Sequence, residues 1–265
     1  MDLLNYIFLG LIQGIFEWLP ISSQGSLVIF LNYFLNIPID ISLNYSVFLH
    51  LGTTFSAIIY FRKEIKDLFL QKNIFGFLKN PFSTEKNISF FRFLFISTFI
   101  SIILGGLIYL FFSNYVISFL YINFIIGLLL IFTGIMLYFS KKSFLKKENL
   151  SIRNSFFLGL FQAMSTLPGI SRSGMTTSVL LFEGFSAEKA FSISFLLSIP
   201  FVLIGEIGLI ILNGVTFNYF ILISIFIAFI VGYFTIGLLL KFAKKVDFSL
   251  FCFILGIFYI FLFFI

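Results

Sequence analysis

Leu167-Pro168-Gly169-Ile170-Ser171-Arg172-Ser173-Gly174 cuts the apolar stretch 154–184 in two, and Leu19-Pro20-Ile21-Ser22-Ser23-Gln24-Gly25 does the same to the stretch 3–35. Proline removes a donor from the helical ladder, and glycine admits backbone shapes that other residues avoid. The apolar arms beside each break are about 15 residues long, short of the roughly 20 that cross a hydrocarbon core. Each stretch therefore reads as a re-entrant hairpin. Two full crossings would leave the topology unchanged, so arm length decides between them. Irregular backbone at membrane depth needs protein or a watery cavity to satisfy its N–H and C=O groups.

The two hairpins read as copies. Gly10-Leu11-Ile12-Gln13 aligns with Gly159-Leu160-Phe161-Gln162 at an offset of 149, and the same offset sets Ile21-Ser22 on Ile170-Ser171 and Gly25 on Gly174 without a gap. Similar hairpins could share Gly, Ser and Pro by composition alone, but ungapped agreement at both ends of the motif favours duplication. Spanning helices are expected at 43–61, 92–112, 119–139, 187–212, 218–240 and 248–265. Three spans, an odd number, follow each hairpin, so the second half must be inverted. The expected fold is an all-α integral membrane protein: six transmembrane helices plus two re-entrant helical hairpins in an inverted-topology repeat. The halves run 1–140 and 141–265 and form one membrane domain. Such folds place their binding site near the midplane, where broken helices meet.

Composition agrees. Of 265 residues, 60% are hydrophobic and 11% charged, with mean hydropathy +1.12; a soluble domain carries roughly 25% charged residues. The net charge of +6 could suit nucleic acid, but its distribution argues against that partner. Seven of the 17 Lys and Arg fall between Arg62 and Arg92, five between Lys141 and Arg153, one at Lys189 and three between Lys241 and Lys245. Short basic loops face the cytoplasm. All four groups then share one side, and the connections 113–118 and 213–217, with both termini, face outward across the cell membrane. The single cysteine, Cys252, excludes an intramolecular disulfide. Met1-Asp2-Leu3-Leu4 lacks the basic stretch of a cleaved signal and reads as mature sequence.

Arg172 is the one basic residue outside those groups. Ionisable residues within a bilayer are costly and functional by default. Here they are Glu17, Arg172, His50 and Glu206, with Glu183 near a hairpin end. Glu17 precedes the first break and Arg172 lies within the second. Ser22, Ser23, Gln24, Gly25 and Ser26 on one side, with Ser171, Ser173, Gly174 and Thr176 on the other, would line a hydroxyl-rich pocket. A guanidinium fork matches phosphate oxygens, and helix N-termini favour anions. A serine could attack phosphorus, with Glu17 as its base or as ligand to a divalent metal. A plainer reading makes Glu17 and Arg172 a buried salt bridge holding the hairpins together, though it has no need of the hydroxyls. His50 reads equally well as a satisfied polar residue at a helix end. Glu206, about two turns beyond Pro200, could line the cavity or bond a neighbouring helix. Trp18 reads as a packing residue or interface anchor.

Gln13-Gly14-Ile15-Phe16-Glu17-Trp18-Leu19-Pro20-Ile21-Ser22-Ser23-Gln24-Gly25 resembles the first signature of the undecaprenyl-diphosphate phosphatases of the bacitracin-resistance type. Pro168-Gly169-Ile170-Ser171-Arg172-Ser173-Gly174 resembles the second, and Phe48-Leu49-His50-Leu51-Gly52-Thr53 extends the resemblance, which covers nearly the whole chain. It implies a hydrolase that converts a polyprenyl diphosphate to the monophosphate lipid carrier and inorganic phosphate, with a divalent cation, Mg²⁺ or Ca²⁺. By resemblance, Glu17 matches the second acidic residue of the first signature, a catalytic position and candidate metal ligand, Ser23 matches a serine proposed as nucleophile, and Arg172 matches the arginine that binds the diphosphate. Ser22, Gln24, Gly25, Ser26, Ser171, Ser173 and Gly174 would surround the head group. The family commonly has Glu where this chain has Gln13, and His where it has Ser26. Either Ser23 with Glu17 suffices, or His50 substitutes, or the activity is altered. The implied partners are the lipid substrate and the bilayer; a homo-oligomer stays open. The site is expected to open to the outer face. The alternative is a transporter or flippase for a polyprenyl phosphate or a small anion, which needs binding groups but no nucleophile.

Overall fold

The computed structural model describes residues 2–69, 71–83, 85–114, 121–140, 151–213, 219–243 and 245–265, and among these the regular structure is entirely helical. The first hairpin consists of α1 (Leu3–Phe16) and α2 (Ser23–Ile29), the latter extended by a π turn at Phe30–Phe34. Then come α3 (Ile39–Tyr60), α4 (Arg62–Leu68), α5 (Gln71–Lys79), α6 (Lys86–Asn114) and α7 (Ile122–Ser140). The second hairpin is α8 (Ile152–Ala163) and α9 (Arg172–Phe182), followed by α10 (Ala187–Asn213), α11 (Ile221–Phe242) and α12 (Phe248–Phe261).

Serine hydroxyls set where each hairpin's second arm begins. Ser22 caps α2 by accepting from the Gly25 amide at 3.1 Å, and Ser171 caps α9 by accepting from the Gly174 amide at 3.2 Å. Each cap satisfies one of the orphan donors at a helix start. At about 1.5 Å per residue the arms α1, α8 and α9 reach only about 16–21 Å, well short of a hydrocarbon core of roughly 30 Å.

Asn87–Phe111, Ile122–Ser140, Ala187–Ile211 and Ile221–Phe242 are long and apolar enough to cross a membrane. The protein is therefore an all-α, multi-span membrane protein. α3 has the length, with 22 residues, but Asp40, Asn44 and His50 make it more polar. α12 has 14 residues and ends at Phe261, short of the expected 248–265. The basic stretch between Arg62 and Arg92 forms α4 and α5 where only a connection was expected. The connecting residues 115–120 and 214–218, and Lys141, Lys142, Lys146, Lys147 and Lys244, lie outside the described residues.

Packing between the halves comes in matched pairs. α1 lies against α11, and α8 against α6. A methyl group added at Gly10 would sit 2.6 Å from the Ser224 carbonyl oxygen; one added at Gly159 would sit 2.6 Å from that of Ser97. Ser224 Oγ donates to the Tyr6 carbonyl at 2.6 Å, and Ser97 Oγ donates to the Ser155 carbonyl at 3.1 Å. Tyr6 and Ser155 are again 149 residues apart. α7 and α12 cross with Gly127 and Gly256 backbone to backbone, Ile260 against the first glycine and Ile131 against the second. In lipid, helices associate through this kind of close contact at small residues, because burial of apolar surface gains little there.

The two breaks meet. Gly169, at φ +107°, donates its amide to Ser22 Oγ at 3.2 Å, and Ser173 Oγ donates to the Leu19 carbonyl at 2.8 Å. The Ser171 amide donates to Thr133 Oγ1 at 3.2 Å, and Cys252 Sγ to the Pro20 carbonyl at 2.9 Å. Irregular backbone is thus satisfied by protein groups. Trp18, fully buried, sets its ring edge-on to Phe195 at 4.9 Å, which makes it a packing residue.

Candidate active site

Glu17 sits at the end of α1, 6% exposed, and four polar side chains converge on its carboxylate. Its Oε1 pairs with Arg172 Nη2 at 2.5 Å. Its Oε2 accepts from Ser23 Oγ at 2.7 Å and from Gln13 Nε2 at 2.9 Å, and lies 3.2 Å from His50 Nε2. One carboxylate therefore joins a hydroxyl, an amide, an imidazole and a guanidinium brought from α1, α2, α3 and α9. The plainer reading of a salt bridge describes the Glu17–Arg172 contact and leaves the Ser23 and His50 contacts without a purpose.

The imidazole's protonation pattern follows from its partners. His50 Nδ1 is 2.6 Å from the Ser46 carbonyl, which can only accept, so Nδ1 carries a hydrogen. Nε2 then faces Glu17 and, at 3.5 Å, Ser23 Oγ. Protonated, it donates to the carboxylate; neutral, it can accept from the hydroxyl. Arg172 lies over the Trp18 ring at 5.8 Å and extends Nη1 toward the Ser194 carbonyl at 3.4 Å. The ring supports the guanidinium from one side, a favourable contact for a cation in a dry site.

The other residues expected at the site divide by role. Ser22 and Ser171 act as helix caps, with Gly25 and Gly174 supplying the capped amides. Ser173 ties the two breaks together and contacts Ser171 Oγ at 3.2 Å. Gln24, half-buried, follows Ser23 on α2. Ser26 bonds the Ser22 carbonyl and Tyr259 OH, and so packs toward α12. Thr176 bonds Ser194 Oγ at 2.6 Å. Glu206, 5% exposed on α10, keeps Oε2 buried without a hydrogen-bond partner, within electrostatic reach of His50 and Glu17. Glu183 bonds Asn154 where the start of α8 meets the end of α9, about 16 Å along α9 from Arg172. Burial lifts its carboxyl above the usual range, and Arg153 pulls it back.

Ser46, Thr53 and Ser194 were not singled out from the sequence. Thr53 accepts from Gln13 at 3.3 Å, Ser46 fixes His50, and Ser194 holds Arg172. The first two had a signal: Ser42, Ser46, His50 and Thr53 recur at helical spacing and form one polar stripe along α3.

Residues 6–258 match the model of the family described as bacitracin resistance protein BacA. The chain belongs to that family. An undecaprenyl-diphosphatase of Methanococcoides burtonii is 38% identical to it over 262 residues, 97% of either chain. Similar relatives of the same name occur in Sulfurisphaera tokodaii, at 36% identity over 97% of this chain and 95% of its own, and in Borreliella burgdorferi, at 36% over 97% and 96%.

In this BacA-family chain the donors near Glu17 fit a particular kind of cation. No group of three or more His, Cys, Asp or Glu able to hold a metal ion occurs among the described residues. Beside Glu17, the Gln13 Oε1 atom is buried without a hydrogen-bond partner. One carboxylate and one unused amide oxygen suit a hard ion that arrives on phosphate oxygens and keeps water ligands.

Proposed function

We propose that the protein is a membrane phosphatase that hydrolyses a polyprenyl diphosphate, of undecaprenyl type, to the monophosphate lipid carrier and inorganic phosphate. One observation carries this reading: Ser23, Glu17 and Arg172 form a single buried contact where the two broken segments meet. The names of the relatives at 36–38% identity agree with it. The proposed architecture has six spans and two re-entrant hairpins in inverted halves, 1–140 and 141–265, with both termini and the site opening on the outer face. The matched pairs Gly10–Ser224 and Gly159–Ser97 support inversion, and the one-sided basic groups support the orientation.

In this mechanism Arg172 receives the head group. A diphosphate carries more negative charge than one carboxylate, so it takes over the guanidinium and frees Glu17 Oε1. Ser23 Oγ attacks the terminal phosphorus while its proton moves to Glu17 Oε2, 2.7 Å away. The bond from phosphorus to the bridging oxygen breaks, and the proton follows the departing lipid monophosphate. Water then attacks the phosphoserine, giving its proton to Glu17 or His50; the bond from phosphorus to Ser23 Oγ breaks, that proton passes to Oγ, and inorganic phosphate leaves with Ser23 restored. A divalent cation, Mg²⁺ or Ca²⁺, would be touched by Glu17 and the Gln13 amide oxygen and would neutralise diphosphate charge. Prenyl carbons lie against the apolar spans, which is why the chemistry belongs inside the membrane.

The test is phosphate release from a long-chain polyprenyl diphosphate by purified protein in detergent, with and without Mg²⁺ or Ca²⁺. Cation-dependent release lost in Glu17→Ala, Ser23→Ala and Arg172→Ala supports the reading. Folded wild-type protein that releases nothing, across several chain lengths and both cations, overturns it.

A second reading, a carrier or flippase for a polyprenyl phosphate or small anion, has one observation in its favour. A cavity of about 430 Å³ opens on the basic side among Ser140, Thr177, Leu181, Phe185, Lys245 and Asp247. Its wall includes α9, five residues from Arg172, about 7.5 Å of helix. Net movement of labelled polyprenyl phosphate across vesicles, persisting in Ser23→Ala, would favour this reading.

A further inference from the structure

α5 and the residues that follow α4 and α5 carry large apolar side chains that stay mostly exposed, although Phe69 also sets its ring against Phe91 at 6.4 Å. Phe69 is 63% exposed, Phe75 65%, Leu78 67% and Phe82 73%. In a water-facing connection this would be an anomaly, since exposed aromatic clusters mark interaction surfaces. The opposite face of α5 is already used. A methyl group at Gly76 would meet Ile88 Cδ1 at 2.5 Å, and the Phe77 ring packs against Phe91 and Phe95 at 5.5 and 5.6 Å.

That contact fixes where α5 lies. Phe91, Phe95 and Phe99 stack along one face of α6, with Phe95 and Phe99 more than half exposed within a segment long and apolar enough to span. Phe77 therefore continues a lipid-facing aromatic ladder, so α5 lies at the membrane surface against the first turns of α6. Charge completes the pattern. Between residues 62 and 86 the sequence has six Lys or Arg against three Asp or Glu, a net of +3. Lys63 and Lys79 are exposed at the outer ends of α4 and α5. Arg92 is already occupied as a staple, donating to the Pro81 and Ser83 carbonyls at 2.7 and 3.2 Å, so it holds the connection against α6.

We infer that α4, α5 and the following turn form an interfacial ledge that binds anionic lipid in the leaflet on the basic side. Phe69, Phe75, Leu78 and Phe82 enter the acyl boundary, and Lys63, Lys66 and Lys79 meet lipid phosphates. Apolar insertion and electrostatic attraction act together in such segments. Because α4 follows α3 directly, the ledge also fixes the depth of the helix that carries His50.

Spin labels on the full chain test this in nanodiscs. Single cysteines replace Phe75, Leu78 or Lys79 in a Cys252→Ser background, and accessibility to oxygen and to a water-soluble nickel complex is compared. The expected result is oxygen-dominated accessibility at 75 and 78, nickel-dominated accessibility at 79, and a shift of 75 and 78 to greater depth when phosphatidylglycerol replaces part of the phosphatidylcholine. Lys63→Gln/Lys66→Gln/Lys79→Gln should lose that lipid-dependent shift and keep its phosphatase activity in detergent. Nickel-dominated accessibility at 75 and 78 in both lipids overturns the ledge. Depth unaffected by anionic lipid overturns the lipid assignment. Dipolar broadening between labels on separate copies identifies a second copy of the chain as the occupant instead.

Discussion

The two hairpins share a frame and differ in what they place on it. Ser22 and Ser171 occupy equivalent positions, and each caps its helix by accepting an amide from a glycine three residues on. The residue after the cap is Ser23 in one and Arg172 in the other; the residue five before it is Glu17 in one and Thr166 in the other. One break thus offers a hydroxyl and a carboxylate, and the other a cation. The two serine caps provide the same local geometry twice, and the different residues beside them supply different chemistry. Neither half has the complete set of groups.

The largest expected effect removes the first half's chemistry. Ser23→Ala should lower turnover on the order of 10⁴-fold or more, as nucleophile deletions do, and a trapped phosphoenzyme should disappear from the intact-mass spectrum. Survival of the phosphoenzyme would move the nucleophile elsewhere. Removing the second half's contribution comes next. Arg172→Lys keeps a positive charge but loses the planar fork, and about 10³-fold in turnover should go with it. A near-normal rate would mean that charge alone suffices and that the frame need not orient phosphate.

His50→Gln sharpens the comparison, because it keeps hydrogen-bonding capacity and removes the imidazole. Turnover should fall about 10²-fold, within the range for a proton-transfer group, with KM little changed. A rise in KM alone would make His50 a binding residue. The smallest effect concerns the scaffold. Gly10→Ala and Gly159→Ala should each destabilise the fold by about 1–3 kcal/mol through overpacking, read by thermal unfolding in detergent. Unequal losses would show that the paired contacts at Ser224 and Ser97 are not equivalent.

How much of this could be read beforehand depended on the residue type. Pro20, Pro168 and the glycines and serines around them mark breaks because the backbone cannot do otherwise. Arg172 drew attention because a guanidinium within an apolar stretch is rare. By contrast, α6 has no marked apolar face, since lipid and protein neighbours ask for the same side chains, and only small residues such as Ser97 mark the side that meets α8. The approach of His50 to Glu17 was hidden for a related reason. It depends on α3 packing against α1 and α2, and helix partners were not readable from periodicity. α4 and α5 escaped because their basic residues indicated only a side of the membrane.

Ser22 Oγ serves two donors, its own helix at Gly25 and the amide of Gly169 in the other hairpin, while Glu17 waits for Arg172, 155 residues later. Ribosomes deliver the chain from its N-terminus, so the first hairpin reaches the bilayer long before its counterpart exists. During that interval Glu17 has the first-half partners Ser23, Gln13 and His50 on Oε2 but nothing yet on Oε1, and a carboxylate buried with half its oxygens unanswered is costly. The nascent protein is consequently incomplete until its second half has been threaded in. A chain truncated before Arg172 would keep Ser23, Gln13 and His50 on Glu17 Oε2 but leave Oε1 without its guanidinium, so the charge of the buried carboxylate would be only partly answered.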